Sequence, residues 1–313
     1  MSDLALTAID LHVSYGQTPA LRGVSFAVRE REVFGIAGES GSGKTTIAMA
    51  ALGLLRPPGR VVRGRILLDG VDVLRLSEEA LRRLRWRDVA FVPQASLNAL
   101  NPVLRVEEQI EDAIVAHEGP QGRTALRGRI AGLLDAVALA GSVARRYPHE
   151  LSGGMRQRVC IAMATALHPR LLIADEPTSA LDVIVQRSVV ESLVAATERL
   201  GASLVVIGHD LALLAQLVDR LMVMRRGRVV ELGSARDLYR EPTHPYTRAL
   251  LEAVPAIGNP RLYRTPLAAP DCVAGGRCDG GRSFSEGSAT MHDVSPGHLV
   301  ACESTFTAAI VAG

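Results

Sequence analysis

Residues 38–45 read Gly38-Glu39-Ser40-Gly41-Ser42-Gly43-Lys44-Thr45 and stand between two apolar segments. Residues 33–37, before them, have the composition of a buried strand, and residues 46–52 have that of a helix. A strand, a glycine-rich loop and a helix in this order form a phosphate-binding loop, or P-loop. The glycines allow successive backbone N–H groups to face one phosphate chain, and the helix N-terminus adds positive potential. The pattern predicts a binding site for a nucleoside triphosphate.

We expect the nucleotide to contact the whole loop and the first turn of the helix. The residues concerned are Gly38, Glu39, Ser40, Gly41, Ser42, Gly43, Lys44, Thr45 and Thr46. Lys44 is predicted to reach the β- and γ-phosphates, and the Thr45 hydroxyl to coordinate Mg²⁺. Lys44 is the only lysine among the 35 basic residues of the chain. Arginine suits bidentate pairing, whereas this position favours a compact charge on a flexible stem.

Composition limits the classes of function. The chain has 313 residues, of which 48% are hydrophobic, so it is long enough for one large domain or two smaller ones. It contains no run of about eighteen or more uncharged apolar residues, so we expect no membrane span. Its first residues show no secretory signal. The formal net charge of +2 does not indicate a nucleic-acid surface, and we expect no nucleic-acid partner.

The pattern of apolar residues predicts an α/β fold. Residues 4–15 and 24–28 read as strands around a turn at 16–19, and a helix is expected from the P-loop to about residue 55. Further short strands alternate with helices, and a helical block at 103–166 interrupts them. These strands are predicted at residues 64–68, 89–92, 171–174, 203–207, 220–224 and 228–231. The alternation favours a mostly parallel sheet with the helical block inserted in it. After Pro242 we expect a short helix and then loop, which becomes rich in glycine and serine after Pro270.

Two acids end the apolar strand at 171–174. Asp175 and Glu176 would therefore lie at the carboxyl edge of the sheet, where open α/β sheets bind ligands. Asp175 is predicted to orient the Mg²⁺ shell and Glu176 to polarise an attacking water. The alternative is a pair of ordinary helix-capping carboxylates.

A second anion-binding helix start is predicted at Ser152-Gly153-Gly154. This segment alone also fits a capped helix that begins after a flexible loop. One nucleotide has no obvious use for two separated phosphate sites in one chain. The simplest interpretation is that the nucleotide of a second subunit uses Ser152, Gly153 and Gly154.

With these residues in order, the sequence resembles an ATP-binding cassette (ABC) ATPase between Tyr15 and His209. Residues 38–45 resemble the Walker A motif, residues 171–176 the Walker B motif with its catalytic glutamate, and residues 151–157 the ABC signature.

Four further positions match the order of the family's motifs. Gln94 falls at the Q-loop, and residues 179–182, which end at Asp182, resemble the D-loop. His209 falls at the H-loop, and Tyr15 falls where the family stacks an aromatic ring on adenine. A lone tyrosine or histidine elsewhere in a chain would be structural, so it is their place in this order that indicates a role.

The resemblance implies a fold, a reaction and an assembly. The fold is a P-loop NTPase of the ABC type, with a RecA-like mixed sheet core, an antiparallel β subdomain, an inserted helical subdomain and a C-terminal extension. Lys44, Glu176 and His209 would be catalytic, and Thr45, Gln94 and Asp175 would surround Mg²⁺. Two cassettes would hold two ATP molecules between them, each contacted by the Walker A motif of one subunit and by the signature and Asp182 region of the other.

The C-terminal part of the sequence indicates which subfamily of ABC ATPases the chain resembles. Residues 243–251, which begin Thr243-His244-Pro245-Tyr246, resemble the His-Pro-Tyr segment of oligopeptide, dipeptide and nickel importer ATPases. We therefore expect an ABC ATPase domain at 1–240, with a helical subdomain at about 95–168, and a C-terminal extension of the oligopeptide-transporter type at 241–313.

The implied partners are integral-membrane permease subunits, a second ABC ATPase (the same or different) and, indirectly, a solute-binding protein. The implied location is peripheral, at the cytoplasmic face of the membrane. A nickel importer and an accessory ATPase of a soluble phosphonate-breakdown complex remain alternatives.

Three cysteines follow the His-Pro-Tyr segment, namely Cys272, Cys278 and Cys302. Many members of the subfamily carry four there, a pattern associated with an iron–sulfur cluster, but residues 282–286 supply no fourth cysteine. Four thiolates are the usual protein ligands of a [4Fe–4S] cluster. A labile cluster, a ligand other than cysteine and a lost site are all open. Cys160, which lies in an apolar helical pattern, is expected to be a small buried hydrophobe.

Overall fold

The computed structural model describes residues 3–94, 99–178, 181–252, 291–295 and 297–301. The strands are β1 (Leu4–Tyr15), β2 (Thr18–Arg29), β3 (Val33–Gly38), β4 (Gly59–Leu68), β5 (Val71–Asp72), β6 (Val89–Val92), β7 (Leu171–Asp175), β8 (Ser203–Gly208), β9 (Arg220–Arg225), β10 (Arg228–Ser234), β11 (Met291–Ser295) and β12 (His298–Ala301). The helices are α1 (Lys44–Ala51), α2 (Glu78–Leu84), α3 (Val106–Glu118), α4 (Arg123–Ala136), α5 (Gly153–Ala164), α6 (Val183–Leu200), α7 (Leu211–Ala215), α8 (Ala235–Arg240) and α9 (Pro245–Glu252). Across these residues, every helix is too short or too polar to cross a membrane.

The N-terminal part forms an antiparallel sheet of four strands in the order β2-β1-β4-β5. The turn between β1 and β2 is shorter than the sequence predicts, because Tyr15 already pairs with Thr18. β4 begins at Gly59, five residues before the predicted start at 64, because Gly59 also pairs with Tyr15. In both places pairing with a neighbouring strand extends an element beyond its local pattern.

The central sheet has eight strands in the order β11-β12-β10-β9-β3-β8-β7-β6. From β9 to β6 neighbouring strands are parallel, whereas β9, β10, β12 and β11 are joined by antiparallel pairs. The predicted α/β class with a mixed sheet core is confirmed. The carboxyl ends of β3 and β7 lie on either side of β8, which brings the segments that follow them to one edge of the sheet.

Alternating side chains of the central strands supply two hydrophobic cores. On β8, Val205 and Ile207 pack with the antiparallel sheet and α1, while Leu204 and Val206 pack with the helical block. All four are at most 2% exposed. Because both faces are covered, the strand reads as an uninterrupted apolar run rather than an alternating one.

The helical block consists of α3, α4 and α5. On α3 the residues at spacings of four, Val106, Ile110 and Ile114, form one fully buried stripe, and the helix ends before Gly119, whose φ is +80°. Glycine followed by proline at 119–120 therefore ends the helix. The P-loop helix ends at Ala51 instead of about residue 55, because Gly53 adopts a left-handed conformation with φ +61°.

The part of the chain after β10 contains more regular structure than its sequence indicates. After helices α8 and α9, strand β12 pairs with β10, and β11 pairs with β12. The sequence pattern predicts loop here, and that prediction was wrong for these nine residues (five in β11 and four in β12). The backbone N–H and C=O groups at the edge of β10 pair with β12, and a short segment has no such partners within its own sequence.

Candidate active site

The P-loop occupies the carboxyl end of β3 and runs directly into α1. Gly43, the residue before α1, has a φ of +101°, and a Cβ atom there would lie 2.6 Å from Leu21 Cδ2. Only glycine fits both the left-handed backbone and this close approach. The conformation allows α1 to begin at Lys44, so its first N–H groups face the loop.

Lys44 is held by the loop itself. Its Nζ donates to Gly38 O and to Glu39 O, both at 2.8 Å, and the residue is 4% exposed. Burial lowers the pKa of Lys44, while the charges of Glu176, Asp175 and Glu39 oppose that shift. The ammonium group therefore stands within the loop, facing the carboxylates at the end of β7.

Asp175, the last residue of β7, is 1% exposed. Burial raises the pKa of Asp175, and its hydrogen bond with Thr45 works in the opposite direction. Among the described residues its Oδ1 atom has no hydrogen-bond partner. A buried carboxylate oxygen without a partner is costly unless a cation or water completes its contacts.

The side chains of Thr45 and Asp175 are suited to bind a Mg²⁺ ion. Mg²⁺ is commonly held in proteins by one or two side-chain oxygens together with substrate phosphates and water, and Thr45 and Asp175 supply such a pair. Within the described ranges there is no group of three or more His, Cys, Asp or Glu side chains that could form a metal site of protein ligands alone. Gln94, the third predicted ligand, lines the same cleft, and its role as a ligand stays a prediction.

Glu176 lies at the centre of a polar cluster. Gln94 Nε2 donates to its Oε2 at 2.6 Å, and His209 Nδ1 lies 3.8 Å from its Oε1. The backbone of Glu176 has a φ of +43°, which is uncommon for a residue other than glycine. The hydrogen bond from its N–H to Ile207 O, at 2.9 Å, anchors this conformation on β8. Such strain is concentrated at functional sites, where it directs a side chain.

The residues converge on a cleft of about 450 Å³. Its lining includes Tyr15, Ser40, Gly41, Gly43, Lys44, Thr45, Thr46, Gln94, Glu176 and His209. Ala20, which the sequence did not single out, lines it as well. Tyr15 lines the cleft and is 39% exposed, and its stacking on adenine stays a prediction.

The structure does not bring the signature segment to this cleft. Ser152 is exposed and caps α5, where its Oγ accepts a hydrogen bond from Met155 N at 3.3 Å. A Cβ atom at Gly154 would lie 2.5 Å from Val185 Cγ1, so the second glycine permits close packing of α5 on α6. Asp182 caps α6 by accepting from Val185 N at 3.0 Å.

The cysteines divide into two groups. Cys160 is 6% exposed and burial raises the pKa of its thiol to about 12, as expected for a small core residue. Cys272, Cys278 and Cys302 lie outside the described residues, and so do Ser179 and Ala180 of the D-loop segment. A labile cluster, a ligand other than cysteine and a lost site therefore stay open as interpretations of these three cysteines.

A P-loop at the end of a parallel strand, beside two acids at the end of a neighbouring strand, defines a P-loop nucleoside triphosphatase. Comparisons with known proteins give the family. A sequence profile described as ABC transporter matches residues 21–179, and a second, described as the C-terminal region of oligopeptide/dipeptide transporters, matches residues 230–283.

Relatives resemble most of the chain. The dipeptide transport ATP-binding protein DppD of Haemophilus influenzae is 44% identical over 84% of this chain and 81% of its own length. The oligopeptide transport ATP-binding protein OppD of Escherichia coli is 37% identical over 96% of this chain and 93% of its own length. A solved dimeric structure of the ATP-binding cassette MJ0796, in a post-hydrolysis state bound to ADP and Pi, aligns with a TM-score of 0.64 and 28% identity over 74% of this chain and 99% of that one.

The chain belongs to the ABC transporter family, as one of its ATP-hydrolysing subunits. The resemblance stated from the motifs alone is thereby confirmed. So is the assignment of the fold as an ABC cassette with a C-terminal region of the oligopeptide/dipeptide transporter type.

Proposed function

We propose that this chain is the ATPase subunit that powers an importer of dipeptides, oligopeptides or a related small solute. One combination of features carries the proposal. A P-loop and carboxylate site is followed, in the same chain, by a C-terminal region that matches the oligopeptide/dipeptide transporter profile at residues 230–283. The relatives named above are described as ATP-binding proteins of dipeptide and oligopeptide transport, which supports the choice of solute.

The chemistry we propose follows from the geometry of the cleft. The N–H groups of the P-loop and the charge of Lys44 bind the phosphates and neutralise charge that develops on them. Mg²⁺, held by Thr45 and Asp175, would supply further neutralisation of the phosphate charge. Glu176 orients and activates the attacking water, and Gln94 and His209 hold its carboxylate from either side.

We propose further that two cassettes act as a pair. The helix start at Ser152, Gly153 and Gly154 does not line this chain's own cleft, yet it has the N–H groups of an anion site. A head-to-tail pair would place it against the nucleotide of the partner. The similar cassette MJ0796 is dimeric in its ADP- and Pi-bound structure, which supports a pair.

Mixing two inactive variants tests the pair. In the proposed pair, each ATP site combines the P-loop of one subunit with the helix start at Ser152 of the other. Lys44→Met inactivates the P-loop part, and Ser152→Arg places a large side chain in the other part, at an exposed position. We expect neither variant alone to hydrolyse ATP, and their equal mixture to recover about a quarter of the parental rate, because about half of the dimers are mixed and each has one intact site. The steady-state rate of phosphate release measures this. A mixture as inactive as its components would contradict a pair formed by two copies of this chain.

An apolar groove suits the proposed contact with a permease. It has a volume of about 270 Å³ and lies between β6 and α5, directly before Gln94. Its lining includes Leu54, Trp86, Phe91, Pro93, Leu100 and Met163. A membrane-embedded partner seated there would be next to the residue that contacts Glu176, which supports transmission of movement through Gln94. We accordingly propose a peripheral location at the cytoplasmic face of the membrane.

Solute uptake tests the proposed cargo. In a strain that lacks this gene, we expect uptake of a labelled dipeptide to fall to background and to return with the parental gene but not with Glu176→Gln. The matched control is Glu79→Gln, which changes an exposed acid of α2. Labelled nickel is measured in parallel. Loss of nickel uptake with unchanged peptide uptake would identify the nickel importer instead, and loss of neither would contradict an importer of either kind.

A further inference from the structure

The side chain of Tyr246 reaches from the C-terminal part of the chain to the P-loop. It belongs to α9 and is 2% exposed. Its hydroxyl oxygen accepts a hydrogen bond from the backbone N–H of Glu39 at 3.1 Å, and the hydroxyl also bonds to the Glu39 carboxylate. The Arg225 guanidinium covers the ring at 5.0 Å from its centroid. The contact is thus a specific polar one made by a packed side chain.

Glu39 connects this contact with the catalytic lysine. Its backbone carbonyl accepts hydrogen bonds from Lys44 Nζ at 2.8 Å and from Ser42 N at 3.1 Å. Tyr246 therefore holds the N–H of the same residue whose carbonyl holds Lys44. A shift of Glu39 would therefore move the N–H that contacts Tyr246 and the carbonyl that contacts Lys44 together.

A buried carboxylate fixes the segment that carries Tyr246. Glu231 of β10 is fully buried and accepts hydrogen bonds from Thr243 N at 2.8 Å and from His244 N at 3.2 Å. The ring of His244 turns back and accepts, through Nδ1, from Tyr246 N at 3.1 Å. Charge-assisted bonds of this kind are strong inside a protein, since the carboxylate would otherwise be buried without partners.

The strand β12 contacts the same carboxylate. His298 is 6% exposed, and its Nε2 lies 2.8 Å from Glu231 Oε1. Glu231 thus receives hydrogen bonds from the segment before α9 and from a strand that lies more than fifty residues further along the chain.

Burial keeps Tyr246 and His244 in the protonation states that their hydrogen bonds require. It raises the pKa of Tyr246 to about 12, so the hydroxyl keeps the proton that it donates to Glu39. Burial, with the nearby charge of Arg225, lowers the pKa of His244 to about 4. At neutral pH the ring is uncharged, which leaves Nδ1 able to accept.

We propose that Tyr246 is a positioning residue of the ATP site, which holds Glu39, and through it Lys44, in the arrangement that binds nucleotide. The Glu231 carboxylate and His298 keep Tyr246 in place, so the C-terminal extension contributes to ATP affinity without touching ATP. A loop that is already ordered binds its ligand without a further cost of ordering. This inference rests on the proposed ATP site, which the parental protein and the Lys44 variants test separately.

The decisive variant is Tyr246→Phe, which removes one oxygen and keeps the ring. We expect the dissociation constant of a fluorescent, non-hydrolysable ATP analogue to rise about five-fold, the effect of losing the hydrogen bond that holds the Glu39 N–H. At saturating ATP we expect kcat to stay within about two-fold of the parental value. Tyr239→Phe, the same change at a half-exposed tyrosine of α8, is the matched control and should leave both quantities unchanged.

Two results would overturn the role of Tyr246. One is an affinity within about two-fold of the parental value. The other is an equal loss of affinity in Tyr239→Phe. Thermal unfolding of each variant is followed as well, because a purely structural tyrosine would lower the melting temperature while the analogue still bound normally. If the parental protein failed to bind the analogue, the ATP site itself would be at fault.

A double-mutant cycle tests the part played by β12. His298→Ala removes the contact with Glu231 and is expected to weaken binding of the analogue about two- to five-fold. In the Tyr246→Phe background the same change should have little further effect, because both act through Glu39. Full additivity of the two losses, or no loss in His298→Ala, would exclude β12 from the arrangement.

Discussion

Replacement of Lys44 by methionine is expected to lower the rate of ATP hydrolysis about a thousand-fold, the cost of removing one strong donor from a site where charge develops. Methionine has nearly the volume of lysine, so the variant removes the charge and little of the packing. In this structure the ammonium is buried, and the loop carbonyls of Gly38 and Glu39 surround it. No other lysine in the chain could take over.

Phosphate release under saturating Mg²⁺-ATP measures this effect, and nucleotide-induced stabilisation against heat measures binding. Arg83→Met is the matched control, since it removes an exposed basic residue of α2 that pairs with Glu79. We expect the control to hydrolyse ATP at the parental rate. A Lys44→Met protein that did the same would show that the P-loop cleft is not the site of hydrolysis.

Replacement of Glu176 by glutamine is expected to reduce turnover about a hundred- to a thousand-fold and to leave ATP binding intact. The amide oxygen of glutamine can still accept the hydrogen bond from Gln94, so the shape of the cluster is kept while the basic carboxylate is lost. Because ATP then persists, we expect the variant to accumulate as a dimer that holds ATP between its two cassettes.

Gel filtration with ATP and retention of labelled ATP measure this ATP-bound dimer, and single-turnover kinetics measure the chemical step. Glu79→Gln is the control for a change of charge alone. Parental turnover in purified Glu176→Gln would rule out Glu176 as the base. Slow turnover combined with a loss of ATP binding would show instead that Glu176 is needed to bind the nucleotide.

Much of the fold could be predicted from local patterns. The strand Leu171–Asp175 is buried on both faces, and the uninterrupted apolar run at 171–174 predicts such a strand. The helix Val183–Leu200 is bounded by local signals, because Asp182 caps its start and Gly201, with a φ of +62°, ends it. These signals lie within a few residues of the element that they define.

Other elements depend on partners that are distant in the chain. The strands Met291–Ser295 and His298–Ala301 form against β10, and β4 gains its first five residues by pairing with β1. No local pattern in these segments distinguishes them from loop. Their hydrogen-bonding partners become available only when the sheet edges exist.

By itself the sequence determined the class of protein and the chemistry of its site. The glycines, the lysine and the paired acids each have properties that few other residues share, and their order along the chain is enough to predict a P-loop ATPase of the ABC type. Only the tertiary structure decided which residues meet. It brings Gln94 and His209 to Glu176, leaves Ser152 outside the cleft, and sets Tyr246 against Glu39 across more than two hundred residues of sequence. The physical reason is that these contacts arise from the packing of the central sheet with the helical block and with α9, and packing between distant segments leaves no periodic signal in either of them.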